Sequence, residues 1–403
     1  MLNAIRSMHL WKRIAGVFCW PLAPLFIPSS AWGANDRPAF GLIGSGNRGR
    51  YVAKGFLGLG AQCVAICDVQ EKNVELAQKD APDAKTYIDY HELLAQSGLD
   101  FVINATPDHH HCPALLAAVA AGKDVYQEKP MSHTLEESQK MIQGVRKTKQ
   151  IVQIGMQRRS FPDIAKAEKL VQDGVLGPIS LVKAEWNWQF RSGFGDVMRQ
   201  EPLPGKVDWQ KFQGSAKKHE FEPARVRWWR AFFDYSGGNM TDQGTHLMDC
   251  VQRLTKTTGP RAAVCVGQVQ DMKGAEAPDV FTAVFEYPEF MATWTLNYCS
   301  SYENGWSVLF QGKNGTLILD GDGYRVYKEP WSKKENREPI YQEQAPDATR
   351  EHFKNFLECI HTREEPHCPV ELGAQAVSGP HLANLAYHRG REARVNAEGK
   401  VSA

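Results

Sequence analysis

An alternation of short apolar runs with helical stretches fills the chain from Pro38 to about Gly155, and it restricts the fold more than any other feature. The runs are Pro38–Ile43, Cys63–Cys67, Phe101–Ala105, Asp124–Tyr126 and Ile151–Ile154, and helix-like segments such as Pro113–Ala121 and Leu135–Lys147 separate them. Near-continuous apolar strands that alternate with helices are typical of a parallel sheet covered on both faces. The pattern therefore predicts a doubly wound α/β domain at residues 36–157.

The pattern changes after about Arg158, where longer strands with half-exposed faces replace the short apolar runs. The predicted strands are Leu181–Trp188, Asp279–Glu286, Met291–Asn297 and Trp306–Phe310, and Asn314-Gly315 predicts a hairpin. Two helices at Arg350–Thr362 and Leu372–Arg389 are expected to pack at the junction of the two domains. Residues 158–391 are thus predicted to form an α+β domain with a largely antiparallel open sheet.

The composition of the chain excludes several classes of protein. Its 403 residues are too many for one ordinary domain. Lys plus Arg number 47 and Asp plus Glu 46, a formal charge of +1 without a basic run, which argues against nucleic acid as a partner. Nine cysteines in a chain of this length make neither a small disulfide scaffold nor a paired Cys-x-x-Cys metal cage. We interpret them as reduced core residues.

The first 33 residues have the composition of an export signal. Three basic residues precede an apolar stretch at residues 14–27, and no acidic residue occurs before Asp36. The stretch is short for a membrane-spanning helix and contains two prolines, and Ala31-Trp-Gly33 has the small-x-small pattern of a cleavage site. We expect an exported, periplasmic protein, with an uncleaved membrane anchor as the alternative. Lys12-Arg13 is only a partial version of the paired arginines that mark export of prefolded proteins.

A glycine-rich turn follows the first predicted strand and opens a helix; it consists of Gly44, Ser45, Gly46, Asn47, Arg48 and Gly49. Glycines at these spacings allow a tight turn, close approach of backbone N–H groups to a pyrophosphate, and close packing of the helix on the strand. Asp68 ends the second predicted strand, where a carboxylate can accept hydrogen bonds from a ribose diol and repels a 2′-phosphate. Together these features predict an NAD site, with NADP less favoured; an ordinary tight turn is the alternative.

A second turn is expected to line the same crevice. Thr106 and Pro107 follow the strand that ends at Ala105, and ligands of open α/β sheets bind outside the carboxyl ends of strands. The run of three histidines, His109 to His111, comes next. Consecutive residues do not share one face of a helix, so a loop beside the cofactor is favoured over a metal site, and no metal is expected.

Two short motifs carry candidate acid–base chemistry. Glu128 and Lys129 follow the strand Asp124–Tyr126, where a lysine ammonium can stabilise an alkoxide as it forms on a substrate. Asp242 and His246 are four residues apart and would share a face of one helix, so that the carboxylate orients the imidazole or raises its basicity. Such a pair can accept a hydroxyl proton while a hydride leaves the same carbon. A surface lysine and an exposed ion pair are the alternatives.

Tryptophans cluster between Trp186 and Trp229. Aromatic rings with polar edges and neighbouring arginines are suited to a polyhydroxylated ring such as a sugar. Trp188, Arg227 and Trp228 are therefore candidate substrate contacts, together with Lys129, Asp242 and His246. A core or an oligomer contact explains the cluster equally well.

The ordered set of motifs resembles the glucose-fructose oxidoreductase and inositol dehydrogenase family. The resemblance rests on the turn 44–49, Asp68, Thr106-Pro107 with His111, Glu128-Lys129-Pro130, and Gly237-Gly238 leading to Asp242 and His246. It covers roughly Asp36 to Arg391 and implies a Rossmann domain, an α/β domain whose open sheet makes oligomer contacts, and hence a homo-oligomer. It implies that Lys129 positions the substrate hydroxyl, that His246 is the acid–base residue and that Asp242 supports it. The implied cofactor contacts beyond the glycine turn and Asp68 are Thr106, Pro107, His111, Glu128, Lys129, Gln157 and Arg158, the last two as cofactor or substrate contacts.

The same resemblance implies an NAD-dependent oxidoreductase that acts on a secondary or anomeric hydroxyl of a sugar or cyclitol. Because no diffusible nicotinamide pool is expected outside the cytoplasm, an exported member is expected to retain its NAD and to recycle it in each cycle. Two alternatives stay open: an NAD-dependent glycoside hydrolase that oxidises the sugar transiently, and a non-catalytic sugar-binding protein. Lys129 within Glu-Lys-Pro favours the oxidoreductase over the hydrolase.

Overall fold

The structure, a computed structural model, describes residues 37–189, 197–198, 201–332, 338–396 and 401. The expected export signal lies outside these residues, and its cleavage stays a prediction. None of the helices in the described ranges combines the length and the apolar character that a membrane crossing requires. From Pro38 onward the chain forms one compact unit.

The N-terminal part of the chain folds into a parallel sheet whose six described strands alternate with helices. The strands are β1 (Ala39–Ile43), β2 (Gln62–Cys67), β3 (Lys85–Tyr87), β4 (Phe101–Asn104), β5 (Asp124–Gln127) and β6 (Val152–Ile154). The helices are α1 (Asn47–Leu57), α2 (Glu71–Gln78), α3 (Tyr90–Leu94), α4 (His111–Ala120) and α5 (Leu135–Arg146). All neighbouring strands are parallel, in the order β3-β2-β1-β4-β5-β6. This order reverses between β1 and β4, whose carboxyl ends flank the crevice where such sheets bind ligands.

The predicted doubly wound domain is confirmed, and one strand was missed. The five apolar runs correspond to β1, β2, β4, β5 and β6, because each is buried on both faces of the sheet and is therefore apolar along nearly its whole length. The missed strand is β3, a three-residue edge strand with the sequence Lys-Thr-Tyr and two exposed residues. An edge strand this short and this polar leaves no apolar run in the sequence.

The second part of the chain forms a mixed sheet of nine described strands. These are β7 (Ile179–Asn187), β8 (Ala262–Gln268), β9 (Val280–Glu286), β10 (Met291–Asn297), β11 (Gly305–Gly312), β12 (Gly315–Asp320), β13 (Gly323–Lys328), β14 (Tyr341–Gln344) and β15 (Ala393–Arg394). Their order is β14-β13-β12-β11-β7-β10-β9-β8-β15, and only β7 and β10 pair in parallel. The predicted antiparallel character and the hairpin at Asn314-Gly315, which joins β11 to β12, are confirmed.

One face of this sheet is packed against helices and the other carries exposed side chains. The remaining helices are α6 (Pro162–Gln172), α7 (Trp209–Gln213), α8 (Pro223–Arg227), α9 (Gly238–Asp242), α10 (Gly244–Thr255), α11 (Thr349–Thr362) and α12 (Val370–Arg389). Inward residues such as Phe285 and Trp294 pack against α6, α10 and α12 in one core. On the opposite face, Val264 is 44% exposed and Val266 is 77% exposed. This alternation is what a sheet with one covered face requires.

Of the two helices expected at the domain junction, α12 joins the two sheets, and α11 packs on the core of the first. In α11, the rings of Phe353 and Phe356 lie 5.0 and 5.9 Å from that of Phe56 in α1. The first half of α12 contributes to the core around β6, and its second half contributes to the core of the second sheet. Because α12 is shared by both cores, it fixes the relative position of the two sheets, which sets the geometry of the crevice between them.

The cysteines behave as the composition indicated. Those in the described part of the chain are free, and six of them are buried: Cys63, Cys67, Cys112, Cys250, Cys359 and Cys368. Burial raises the pKa of the Cys63 thiol to about 12 and that of the Cys112 thiol to about 11. Thiols with such pKa values stay protonated at neutral pH and act as small apolar core residues.

Candidate active site

The glycine turn between β1 and α1 is shaped for a close approach by a ligand. Gly44 has a φ of +83°, and a Cβ there would lie 2.6 Å from the carbonyl oxygen of Ala105. A Cβ at Gly49 would lie 2.0 Å from the carbonyl oxygen of Gly44, whereas one at Gly46 would meet nothing within 4 Å. No side chain caps the first turn of α1, so its N–H groups are left for an anion. The turn therefore has the open cradle that a dinucleotide pyrophosphate needs.

Asp68 anchors the other side of this cradle, directly after β2. Its carboxylate accepts hydrogen bonds from the backbone N–H of Ser45 at 2.8 Å and from that of Gln70 at 2.9 Å. Burial raises the pKa of Asp68, and these N–H groups counteract the shift. The carboxylate is thus held beside the glycine turn, where it fits a ribose diol and disfavours a 2′-phosphate.

The histidine run holds loops together within the described structure. Nδ1 of His111 lies 2.6 Å from the carbonyl oxygen of Pro130, and its Nε2 lies 2.9 Å from that of Thr106. His109 and His110 both contact the carbonyl oxygen of Phe212. No group of three His, Cys, Asp or Glu side chains in the described residues is arranged to hold a metal ion. His111 therefore fixes the turn after β4 to the turn after β5, and its contact with a cofactor stays a prediction.

Lys129 meets the second domain at Asp242, which ends α9. Its ammonium donates to the Asp242 carboxylate at 2.8 Å and to the Asp242 carbonyl oxygen at 2.9 Å. Nε of Arg230 lies 3.2 Å from the same carboxylate oxygen. Burial by itself would raise the pKa of Asp242, but the charges of Lys129 and Arg230 outweigh it and hold that pKa well below its usual range. The carboxylate therefore stays ionised and fixes the ammonium at the crevice.

Several contacts position α9, which carries Asp242 toward Lys129. The side-chain amide of Asn384 in α12 donates to the carbonyl oxygen of Gly237 at 2.7 Å. The hydroxyl of Thr245 in α10 donates to the carbonyl oxygen of Thr241 at 2.6 Å. Gly238 has a φ of +66°, and a Cβ there would lie 2.6 Å from the Cβ of Ala277. The glycines before Asp242 thus serve a close turn that aims α9 at Lys129.

Asp242 and His246 lie on two different helices, so they do not share the helix face on which their spacing would have paired them. α9 ends at Asp242 and α10 begins at Gly244, with Gln243 between them. Asp242 is hydrogen-bonded to Lys129 and Arg230, while Nδ1 of His246 is buried and has no hydrogen-bond partner in the described residues. Asp242 therefore acts on His246 through its charge alone, and its direct support goes to Lys129.

His246 is a neutral imidazole in this environment. Burial lowers its pKa well below the usual value, and the positive charges of Lys129, Arg158 and Arg48 lower it further, against the opposing effect of Asp242. An imidazole whose pKa lies that low is unprotonated at neutral pH. With a buried nitrogen that lacks a partner, it is ready to accept a proton from a ligand that enters the crevice.

Arg48 and Glu128 link the glycine turn to the loop that carries Lys129. Their side chains form an ion pair at 2.7 Å, and Glu128 is almost fully buried. A Cβ at position 155 would lie 2.8 Å from Oε1 of Glu128, so glycine leaves room for the carboxylate. The sequence named both residues as cofactor contacts, and the structure brings them together at the crevice.

Gln157 and Arg158 lie in a single 3₁₀ turn that follows β6. The guanidinium of Arg158 lies 3.6 Å from the ring centroid of Trp306 and 5.8 Å from that of Trp186. Oε1 of Gln157 and one guanidinium nitrogen of Arg158 are buried without a hydrogen-bond partner in the described residues. Both side chains therefore have polar groups left for a ligand.

The three residues taken from the tryptophan cluster make other contacts within the described residues. Arg227 donates to the carbonyl oxygens of Glu201 and Pro202 at 2.8 and 3.0 Å, and Trp228 packs in an apolar cluster with residues of α7. Trp188 is 40% exposed, and its ring centroid lies 6.4 Å from that of Tyr298. Their contact with a substrate stays a prediction.

Sequence reasoning missed the position of Tyr298 and the role of Arg230. Tyr298 follows β10 and is buried, and burial together with the charge of Asp242 raises the pKa of its phenol. No sequence motif marks Tyr298. It reaches the site because β10 pairs with β7 in the sheet. Arg230 follows the tryptophans of the cluster in the sequence, and the structure makes it the second cation on Asp242.

Models of one protein family match the chain in both of its domains. Residues 39–156 match a model described as an oxidoreductase family with an NAD-binding Rossmann fold, and residues 206–388 match the C-terminal alpha/beta domain of the same family. The chain belongs to the Gfo/Idh/MocA oxidoreductase family. The resemblance stated from the motifs is confirmed, and the N-terminal sheet is the NAD-binding Rossmann domain of that family.

Individual members of the Gfo/Idh/MocA family resemble the chain over different lengths. Inositol 2-dehydrogenase of Paracoccus denitrificans is 32% identical over 130 residues, which are 32% of this chain and 39% of that enzyme. The WlbA dehydrogenase of Bordetella pertussis, solved with NADH and UDP-GlcNAcA, superimposes with a TM-score of 0.69 at 19% identity, covering 89% of this chain and 99% of WlbA. The aldose-aldose oxidoreductase of Caulobacter crescentus superimposes with a TM-score of 0.66 at 21% identity, covering 89% and 100%. The two structures share the fold.

The electrostatics of His246 predict an imidazole that stays neutral well below pH 6.5. In ¹⁵N-histidine-labelled protein, the side-chain resonances of His246, assigned by their loss in His246→Gln, should keep neutral-imidazole shifts from about pH 8 to about pH 5.5. Lys129→Met removes a nearby positive charge and should raise the midpoint. A titration centred near pH 6.5 in the unsubstituted protein would contradict the neutral assignment.

Proposed function

We propose that this protein is an NAD-dependent oxidoreductase that acts on a secondary or anomeric hydroxyl of a sugar or cyclitol. The observation that carries the proposal is the contact of Lys129 with Asp242 across the crevice at 2.8 Å, beside a neutral His246 whose Nδ1 has no partner in the described residues. A neutral imidazole can remove a hydroxyl proton, and an ammonium can stabilise the charge that this leaves on the oxygen.

Each side chain has a distinct part in this reaction. His246 accepts the hydroxyl proton in oxidation and returns it in reduction. The Lys129 ammonium stabilises the negative charge that develops on the substrate oxygen, and Asp242 holds that ammonium in place with two hydrogen bonds. Arg230 neutralises the part of the Asp242 charge that would otherwise raise the basicity of His246. NAD, when bound, supplies the hydride acceptor and donor.

The cofactor fits the residues on the Rossmann side of the crevice. The N–H groups at the start of α1 and the open space at Gly46 are suited to its pyrophosphate, and the Asp68 carboxylate to its adenine ribose. Thr106, Pro107, Glu128 and Gln157 follow strands at the same edge of the sheet. Asp68 also favours NAD over NADP, because a carboxylate repels a 2′-phosphate.

The substrate class is supported by the polar character of the site and by the relatives. The crevice combines charged hydrogen-bond donors with an unpartnered imidazole and a buried phenol, which suits a polyhydroxylated molecule. Relatives named inositol 2-dehydrogenase and aldose-aldose oxidoreductase act, by those names, on a cyclitol and on aldoses.

The proposal assigns specific losses to two substitutions. Lys129→Met and His246→Gln should each lower turnover of an accepted sugar by about 10² to 10⁴-fold, the contribution typical of acid–base and oxyanion groups, while the Kd for NAD changes less than about threefold. Nicotinamide reduction and NAD titration calorimetry give the two readouts. His361→Gln, an exposed histidine in α11, is the matched control.

Turnover near that of the unsubstituted protein in either variant would refute the assigned roles. Sugar binding without nicotinamide reduction across hexoses, pentoses, amino sugars and cyclitols would instead favour a sugar-binding protein.

We also propose that the protein is exported to the periplasm with NAD already bound and recycles it by oxidising one sugar and reducing another. The support is the signal-like composition of residues 1–33 and the lack of a nicotinamide pool outside the cytoplasm. Protein purified from the periplasm and then denatured should release a stoichiometric amount of NAD, measured by chromatography. Protein that is folded and active only with added NAD, and that releases none, would contradict retention.

The exposed face of the second sheet supports a homo-oligomer. Val264 and Val266, two residues apart on β8, and Met291 on β10 expose apolar side chains on this face, and Met291 is 43% exposed. Val264→Asp with Val266→Asp should reduce the mass measured by light scattering, because charges on an apolar interface are costly to bury. A single-chain mass for the unsubstituted protein would contradict the oligomer.

A further inference from the structure

Arg158 is a partly buried cation in the crevice, and the proposed reaction gives it no role. One face of its guanidinium lies on the indole of Trp306 at 3.6 Å, and Trp186 lies beside it at 5.8 Å, in register with Trp306 on the neighbouring strand. A guanidinium stacked on an aromatic ring keeps its edge free for hydrogen bonds in the ring plane. One of its terminal nitrogens is buried and has no partner in the described residues.

The carboxylates around the crevice are already paired with other cations. Asp242 is bound by Lys129 and Arg230, and Glu128 by Arg48. These pairs leave Arg158 as the cation whose charge is not matched within this group.

The charges of two carboxylates behind Arg158, those of Asp249 and Asp163, act on its guanidinium but do not outweigh its burial, which lowers its pKa. Asp249 accepts from Nε of Arg159 at 2.8 Å. Asp163 influences Arg158 from a distance, and burial raises its pKa. Within the described residues the thiol of Cys250 interacts with the guanidinium, and burial raises the pKa of that thiol to about 11, so it is neutral.

The unmatched charge lies close to the proposed chemistry. Arg158 is among the cations that lower the pKa of His246, and Nδ1 of His246 is likewise buried without a partner. Two unpartnered buried polar groups in one crevice point to a ligand that satisfies both. A buried guanidinium is stable only when an anion and hydrogen bonds compensate its lost hydration.

We propose that Arg158 binds a carboxylate of the substrate, so that the substrate class is sugar acids, such as hexuronates and their glycosides, rather than neutral sugars. The inference rests on the proposed function and deepens it, since it places the carboxylate at Arg158 and the reacting hydroxyl at Lys129 and His246. The planar fork of arginine matches the two oxygens of a carboxylate, which gives charge-assisted hydrogen bonds that a neutral hydroxymethyl group cannot replace.

Matched ligands test the carboxylate directly. D-glucuronate and D-galacturonate are titrated calorimetrically into the full chain loaded with NAD, beside D-glucose, D-galactose and the methyl esters of the two uronates. We expect each uronate to bind at least about tenfold more tightly than its hexose and its ester, since a compensated buried charge is worth about 1.4 kcal/mol or more. The esters remove the charge and add only one methyl group.

Substitutions of Arg158 test the guanidinium. Arg158→Met keeps contact with Trp306 and removes the charge, and should abolish the preference for uronates with less than about a threefold change in the Kd for NAD. Arg158→Lys keeps the charge without the fork and should retain part of the preference. Arg394→Met, an exposed arginine on β15, is the matched control, and melting temperatures report the folding of each variant.

Three results would overturn the inference, and they separate it from the proposed function. Equal affinity for uronates and hexoses in the unsubstituted protein rules out the carboxylate contact, while reduction of nicotinamide by a neutral sugar would leave the oxidoreductase standing. Loss of NAD affinity in Arg158→Met assigns the guanidinium to the cofactor instead. Failure of the unsubstituted protein to bind NAD at all removes the proposed function and the inference with it.

Discussion

The ion pair between Lys129 and Asp242 is the contact on which the geometry of the site depends. It joins a loop after β5 of the Rossmann sheet to the end of α9 in the second domain, and both side chains are largely buried. Two buried charges gain little net stability from each other, but removing one partner leaves the other uncompensated, at a cost of about 3–5 kcal/mol. Separating the two side chains is therefore costly, which holds Lys129 at the end of α9.

The second consequence of this pair concerns the protonation of the neighbouring imidazole. Arg230 is a second cation on the same carboxylate, so the negative charge of Asp242 is compensated by its two partners. His246 then experiences a surplus of positive charge in addition to burial, and both effects favour its neutral form. A site that needs a proton acceptor at neutral pH obtains one without a carboxylate hydrogen-bonded to the imidazole.

The architecture supplies the rigidity that such a site requires. α11 packs its phenylalanines against Phe56 of α1, and α12 runs from the core of one sheet into the core of the other. His111 fixes the two turns at the carboxyl edge of the Rossmann sheet to each other through the carbonyl groups of Thr106 and Pro130. Side chains from four separate loops can therefore face one crevice with fixed relative positions.

The sequence by itself determined the features that depend on local rules. Strands buried on both faces are apolar along their length, so the sequence predicted β1, β2, β4, β5 and β6. Glycines are required at 44 and 49 because a Cβ there would clash with the backbone. Lys129, Asp242 and His246 were identified because motifs fix their positions along the chain, not in space. Spacing also suggested that Asp242 serves His246, and here only the tertiary structure decided: the helix breaks at Gln243, and a lysine more than a hundred residues away takes the carboxylate. Tyr298 and the unmatched charge of Arg158 likewise follow from strand pairing and burial, which are properties of distant contacts that no local pattern encodes.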